Sequence, residues 1–305
     1  MKESMLELKS VTLADKPLFD EKLQVYGLSA SDMCFTAIYM WSEALNLKYL
    51  EIEGLLCCIA LTKTIPPYWF SPIGDLEKCD YEKVIAILKR YCEKENRKLM
   101  FRRLTERDLS MMKQLNGMQI SYEYSRGSSD YVYLREDLVT LSGKKYHGKR
   151  NHISRFLREN GERYAYLPLQ EQHIPEVLQL NALYSVCKGG ECQNCLICEK
   201  EANTRVIANM ETLGCIGAMI QIDGEIKAYT VGQMLNNDTA IIHIEKADRS
   251  IKGLYPMINR EFCKHAFPEA TYINREEDMD IAGLRKAKLS YHPVRMEDKY
   301  NLTVL

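Results

Sequence analysis

The stretch IIHIEKADRSIKGL, residues 241–254, decides the fold, because an apolar run hands over to a helix within it. Ile241, Ile242 and Ile244 read as a buried strand. Leu254, Met257, Ile258 and Phe262 then recur on one helical face, so a helix is expected over residues 253–267. Working outward, residues 270–274 read as a strand, 282–289 as a short helix and 296–304 as extended chain. Upstream, residues 215–222 and 225–235 flank Asp223-Gly224. An Asp-Gly pair between apolar runs signals a hairpin, since both turn positions take positive φ.

The first half presents the same order of elements. A hairpin of residues 49–52 and 55–61 turns at Glu53-Gly54. Residues 68–73 read as a strand and 81–95 as a helix, with Val84, Ile85, Leu88, Tyr91 and Cys92 on one face. A strand over 99–104, a short helix over 107–115 and a closing strand over 131–134 complete the unit. Each half opens with a strand and helices, at 6–13 and 17–26, then at 164–169 and 174–186. The expected class is α/β, an α+β mixed sheet with helices on its faces, built twice. The expected bounds are 1–142, a basic linker helix at 143–159, and 160–305.

Composition restricts the function classes. In 305 residues, 41 Lys plus Arg face 42 Asp plus Glu, so no global charge points to nucleic acid. Any such partner needs a local patch, and residues 144–158 supply one. They hold Lys144, Lys145, Lys149, Arg150, Arg155 and Arg158 without an acid, plus His147 and His152. The helix is either a clamp with solvated charges or a surface for the phosphates of RNA, cofactor or lipid. No uncharged run exceeds 11 residues, short of the roughly 20 that span a membrane. Eleven cysteines without an export signal are expected as free thiols in the cytosol. Among them Cys187, Cys192, Cys195 and Cys198 have a spacing open to a metal, the alternative being thiols that simply pack, with Cys198 opening a helix.

The strand-to-helix turn at 241–254 is a place for an anion, because helix-start N–H groups lack partners. Arg249 and Lys252 supply cations there and Gly253 allows close backbone approach. Glu245, at the strand end, is the first choice of polar site residue, and His243 shares its face by the period of two. Asn274, Arg275, Glu276, Glu277 and Asp278 cluster at the neighbouring strand end, either as a site or as a solvated edge. Lys288, with Lys286 nearby, would supply a cation to an oxyanion. In the first half the corresponding loop reads GDLEKCD, residues 74–80, and would repel a phosphate.

HIEKADRSIKGLY (243–255), NREEDMDIAGLRKAKLSY (274–291) and YLREDLVTLSGKKYHGKRNH (133–152) resemble the family of the phosphatidylglycerol lysyltransferase C-terminal domain. The resemblance implies two tandem GNAT folds, as in the Fem peptidyltransferases. It implies transfer of an acyl or aminoacyl group from acyl-coenzyme A or aminoacyl-tRNA to an amine or hydroxyl. Glu245 and Lys288 would be catalytic. The donor would lie on Arg249, Ser250, Ile251, Lys252, Gly253 and Leu254. His243, Asn274, Arg275, Glu276, Glu277 and Lys286 would bind substrate. Lys144, Lys145, Lys149 and Arg150 would meet tRNA, and an anionic lipid would be met peripherally. The GNAT pyrophosphate loop is patterned Arg/Gln-x-x-Gly-x-Gly/Ala. Here Lys252 and Leu254 stand at its glycines, which favours an aminoacyl donor and leaves a non-catalytic binding module as the alternative.

Overall fold

A computed structural model describes residues 7–184 and 193–305, without the side chains of 193–198. Cys187 and Cys192 lie outside the described residues, as do the side chains of Cys195 and Cys198. The described chain forms two compact units. One takes in the described residues up to Asp130 with Glu277–Ile281 and Glu297–Leu305, and the other the described residues from Tyr131 to Glu276 with Ala282–Met296. The described strands form two mixed seven-stranded sheets.

In the first unit the sheet order is Lys9–Ser10, Leu47–Ile52, Leu55–Ala60, Tyr68–Trp69, Met100–Thr105, Lys299–Val304, Ile120–Tyr124. Its hairpin turns at Glu53 and Gly54, with φ of 49° and 81°. The helix Tyr81–Lys94 starts on Asp80, whose carboxylate accepts from the Lys83 amide at 2.9 Å. Val84, Ile85, Leu88 and Cys92 pack from it onto Leu50, Ile59 and Phe101. The acidic loop at 74–80 thus fills its own helix start with a carboxylate.

In the second unit the order is Arg295–Glu297, Asp130–Leu134, Tyr272–Asn274, Thr239–Ala247, Glu225–Met234, Ile216–Ile222, Tyr164–Pro168. Asp223 and Gly224 turn its hairpin at φ of 53° and 81°. The helix Leu254–His265 buries Leu254, Met257, Ile258 and Phe262 against Ile220, Ala228 and Ile242.

Two closing strands fall where a half-by-half reading does not put them. Asp130–Leu134 pairs with Tyr272–Asn274 in the second sheet. Lys299–Val304 lies between Met100–Thr105 and Ile120–Tyr124 in the first. The basic segment begins as a short 3-10 turn, Lys144–Tyr146, and continues as the helix His147–Asn160. It belongs to the second unit, where Ile153 and Phe156 join the core and Leu157 stays exposed.

Candidate active site

Thr239–Ala247 and Tyr272–Asn274 run parallel, and only Thr239, Ala240 and Ile241 pair across, with Tyr272, Ile273 and Asn274. Beyond Ile241 the ladder ends, so the chains diverge into a wedge with polar side chains on both arms. A register shift helps to aim them. Val231 faces Ile244 and Gly232 faces Ile242, which leaves His243 as the extra residue of a β-bulge.

Two pairs span the wedge. Glu245 Oε1 accepts from Arg275 Nη2 at 2.9 Å, and Glu245 Oε2 accepts from Asn259 Nδ2 at 2.8 Å. His243 Nδ1 lies 2.9 Å from Glu276 Oε1, with the histidine side chain fully buried. A carboxylate only accepts, so Nδ1 is the donor in this pair. Asn274 is buried and its Oδ1 accepts from the Glu276 amide at 2.8 Å, holding Glu276 at φ 56°.

Arg275 ties the wedge to a wall of aromatic rings. Its guanidinium lies 4.8 Å from the Tyr291 ring centre and 5.8 Å from that of Tyr133. Burial works against its charge, but Glu245 more than offsets this, so its pKa is raised and it stays cationic. Its Nη1 is buried without a partner among the described residues, and so is Oδ1 of Asn259.

The ammonium of Lys149 lies over Tyr291 as well, 3.7 Å from the ring centre. Burial first, then Arg275, push Lys149 down to about 8, while Glu245 pulls the other way. Lys149 opens onto a cavity of about 590 Å³ between the helices His147–Asn160 and Ala282–Leu289. Lys145, His152, Lys286 and His292 also line it, and no acid does.

Lys288 has a different job from the one expected. Its ammonium donates to the backbone carbonyls of Arg275 and, at 3.4 Å, Glu276. It therefore fixes the arm that carries Arg275. Lys286 faces the cavity instead. Glu277 belongs to the first unit and accepts from Arg103 at 2.9 Å. Arg249, Ser250 and Lys252 are exposed on a turn where the Asp248 carboxylate accepts from the Ser250 amide at 2.8 Å. Ile251 is half-buried and Leu254 buried. Gly253 has φ 85°, and a Cβ there would stand 2.1 Å from the His152 carbonyl oxygen. Its close approach serves helix packing. Of the four residues expected to meet tRNA, Lys144 is exposed and Lys145 pairs with Asp137 at 3.2 Å. Arg150 donates to the Leu141 and Gly143 carbonyls, and Lys149 lies in the cavity wall.

A charged centre in the first unit was not legible in the sequence. Lys299 is fully buried and donates to Asp130 at 2.7 Å, to Ser31 Oγ at 3.1 Å and to Asp32. Arg103, at φ 61°, donates to Asp32 and Glu277. Among the described residues no group of three or more His, Cys, Asp or Glu could hold a metal ion. No helix among them is long and apolar enough to cross a membrane.

Two mixed sheets, with a wedge between parallel strands of the second, give the chain the fold of tandem GNAT proteins. The chain belongs to the family described as phosphatidylglycerol lysyltransferase, C-terminal, whose model matches residues 23–303. That is a family of GNAT-like acyl and aminoacyl transferases. A conserved protein of unknown function from Bacteroides thetaiotaomicron VPI-5482 is 32% identical, with a TM-score of 0.87 over 99% of this chain and 100% of that one. L-PGS from Bacillus licheniformis is 16% identical, with a TM-score of 0.63 over 95% and 91%. A tandem GNAT protein from the clavulanic acid biosynthesis pathway is 12% identical, with a TM-score of 0.50 over 99% and 98%. An uncharacterized protein of Mycoplasmoides gallisepticum is 26% identical over 66% of this chain. The match spans 64% of that protein's length.

Proposed function

We propose that this chain is an aminoacyl- or acyltransferase whose reaction centre is the wedge of the second unit. The observation that carries the reading is the pair of buried, unpartnered atoms fixed to one carboxylate, Arg275 Nη1 and Asn259 Oδ1. Buried polar atoms without partners cost about 1–3 kcal/mol each, so a donor and an acceptor left open together suit an incoming group that pairs both. An α-aminoacyl ester does so, with a carbonyl oxygen that accepts and an ammonium that donates.

Arg275 then polarises the donor carbonyl, and Glu245 orients Arg275 rather than acting as a base, since both its oxygens are engaged. His243, with Nδ1–H on Glu276, is suited to take the proton of the attacking amine or hydroxyl on Nε2. The new acyl bond forms as the donor ester bond breaks, and the imidazolium returns its proton to the leaving hydroxyl. Aminoacyl-tRNA is favoured over acyl-coenzyme A as donor. The glycines of a pyrophosphate loop are replaced, and Gly253 is spent on His152. Lys144, Lys145 and Lys149 would meet the RNA, in the cytosol where charged tRNA is made. A lipid acceptor would be met peripherally, its head group near the basic cavity.

The test incubates the purified chain with labelled lysyl-tRNA or acetyl-coenzyme A and phosphatidylglycerol vesicles. Label transferred to lipid from lysyl-tRNA is the expected result. Binding of charged tRNA with no turnover of either donor would favour the second reading, a non-catalytic binding module. The full engagement of Glu245 is what speaks for that alternative.

A further inference from the structure

We infer that the groove between His147–Asn160 and Ala282–Leu289 is a subsite for a phosphate-bearing anion, held by Lys149. The inference deepens the transferase reading by naming the ligand class of the neighbouring groove, but its test needs no turnover.

The groove gathers Lys145, Lys149 and Lys286 with His152 and His292 and no acidic side chain, so its field favours an anion. It is an open groove rather than an enclosed cavity, and its volume of about 590 Å³ has room for a small phosphorylated molecule or a lipid head group. Two wall positions are glycine, Gly148 and Gly283, and a Cβ at either meets nothing within 4 Å. Both glycines therefore face open space.

The lysines differ in what they already hold. Lys145 has Asp137 at 3.2 Å and Lys286 is exposed to water. Lys149 makes no hydrogen bond or ion pair among the described residues and rests only on the Tyr291 ring. The groups facing it are Arg275, which disfavours its charge, Glu245, which favours it, and the aromatic ring of Tyr291. Lys145, His152, Lys286 and His292 share the groove, and the two lysines add positive charge. Burial first, then Arg275, against the pull of Glu245, hold the amine near the boundary of protonation at about pH 8. An anion at that spot restores the balance, and the amine takes a proton from solvent as the anion enters. Linkage sets the sign: affinity falls as pH rises through about 8, because the free chain must then collect the proton in order to bind.

Calorimetric titration at pH 8, in two buffers of different ionisation heat, counts the protons. The probes are sn-glycerol 3-phosphate, a head-group fragment, and inorganic sulfate, which carries no proton of its own at this pH. The full chain should bind glycerol 3-phosphate with uptake of about half a proton per site, since a group with pKa near 8 is half deprotonated there. Lys149→Arg, always charged, should keep affinity within about threefold and lose the uptake. Lys149→Met should lose both, with binding weakened tenfold or more. Equal binding of sulfate would assign the site to any tetrahedral dianion, and tighter glycerol 3-phosphate would assign it to a head group. Both outcomes support the subsite. Absence of binding of either anion at millimolar concentration would overturn it, as would unchanged uptake in Lys149→Arg, which would move the proton to His152 or His292. Neither failure decides the transfer assay, whose reaction centre is Arg275 and His243 rather than this groove.

Discussion

Burial and the nearby guanidinium lower the Lys149 ammonium from 10.5 to about 8, so below pH 8 the folded chain carries a cation that the unfolded chain holds more easily. A lowered lysine pKa destabilises the fold while the group is charged, and the penalty disappears as pH rises from about 8 to 10.5. With discount for its partial exposure, the cost at pH 7 is about 1–2 kcal/mol. Lys149→Met should therefore raise Tm by a few degrees at pH 7, and the gain should vanish near pH 10. A Tm that is lower at both pH values would show that Lys149 supports the fold instead. Lys299 is the opposite case. Asp130 and Asp32 outweigh its burial and raise its pKa, and removing its charge takes the ammonium from the buried Asp130 carboxylate, while Asp32 keeps Arg103. Lys299→Met should cost about 3–5 kcal/mol in denaturant titration, and a loss below 1 kcal/mol would contradict the pairing.

Elements show why some of the site was legible and some was not. Both hairpins, the helices at 81–94 and 254–265 and the ends of the strands at 239–247 and 272–274 were readable, because Asp-Gly or Glu-Gly turns and apolar periodicity are local signals. His243, Glu245 and Arg275 follow the last paired residues, Ile241 and Asn274, a position that the apolar runs before them make readable. Lys288 was read by chemical type, yet the direction in which a lysine reaches depends on packing, and this one reaches the Arg275 carbonyl. Lys299 was hidden by a register shift between Tyr300 and Leu302, which puts it inside although its parity opposes that of Leu302 and Val304. Gly253 was read as a phosphate cradle and instead seats two helices against one another. Gly253→Ala should cost about 2–4 kcal/mol, combining a left-handed φ with a clash at His152. Chemical denaturation measures it, and a change below 0.5 kcal/mol would show that the helices can move apart freely.

At the scale of the molecule, strand exchange breaks the link between sequence order and unit. Pairing partners are chosen by long-range packing, which no local pattern encodes, so a cut at residue 142 or 160 does not follow the sheets. One consequence concerns the last strand. Lys299–Val304 lies inside the first sheet, so deletion of residues 297–305 should unfold the first unit although most of that unit ends at residue 130. Rapid hydrogen exchange at Met100–Thr105 and Ile120–Tyr124 would report that loss, and protection as in the full chain would contradict the exchange.

The central claim, that the second unit carries the reaction through Arg275, is tested most directly by transfer rates of two matched variants. Arg275→Lys and Arg103→Lys each retain a positive charge, one in the wedge and one in the buried charge cluster of the first unit. Single-turnover transfer from labelled lysyl-tRNA to phosphatidylglycerol vesicles is measured for both, with melting curves to confirm folding. Loss of a guanidinium donor to a carbonyl oxygen costs about a hundredfold or more. The account predicts that loss for Arg275→Lys and a rate within about threefold of the wild type for Arg103→Lys. Full activity in Arg275→Lys, or an equal loss in a folded Arg103→Lys, would contradict it.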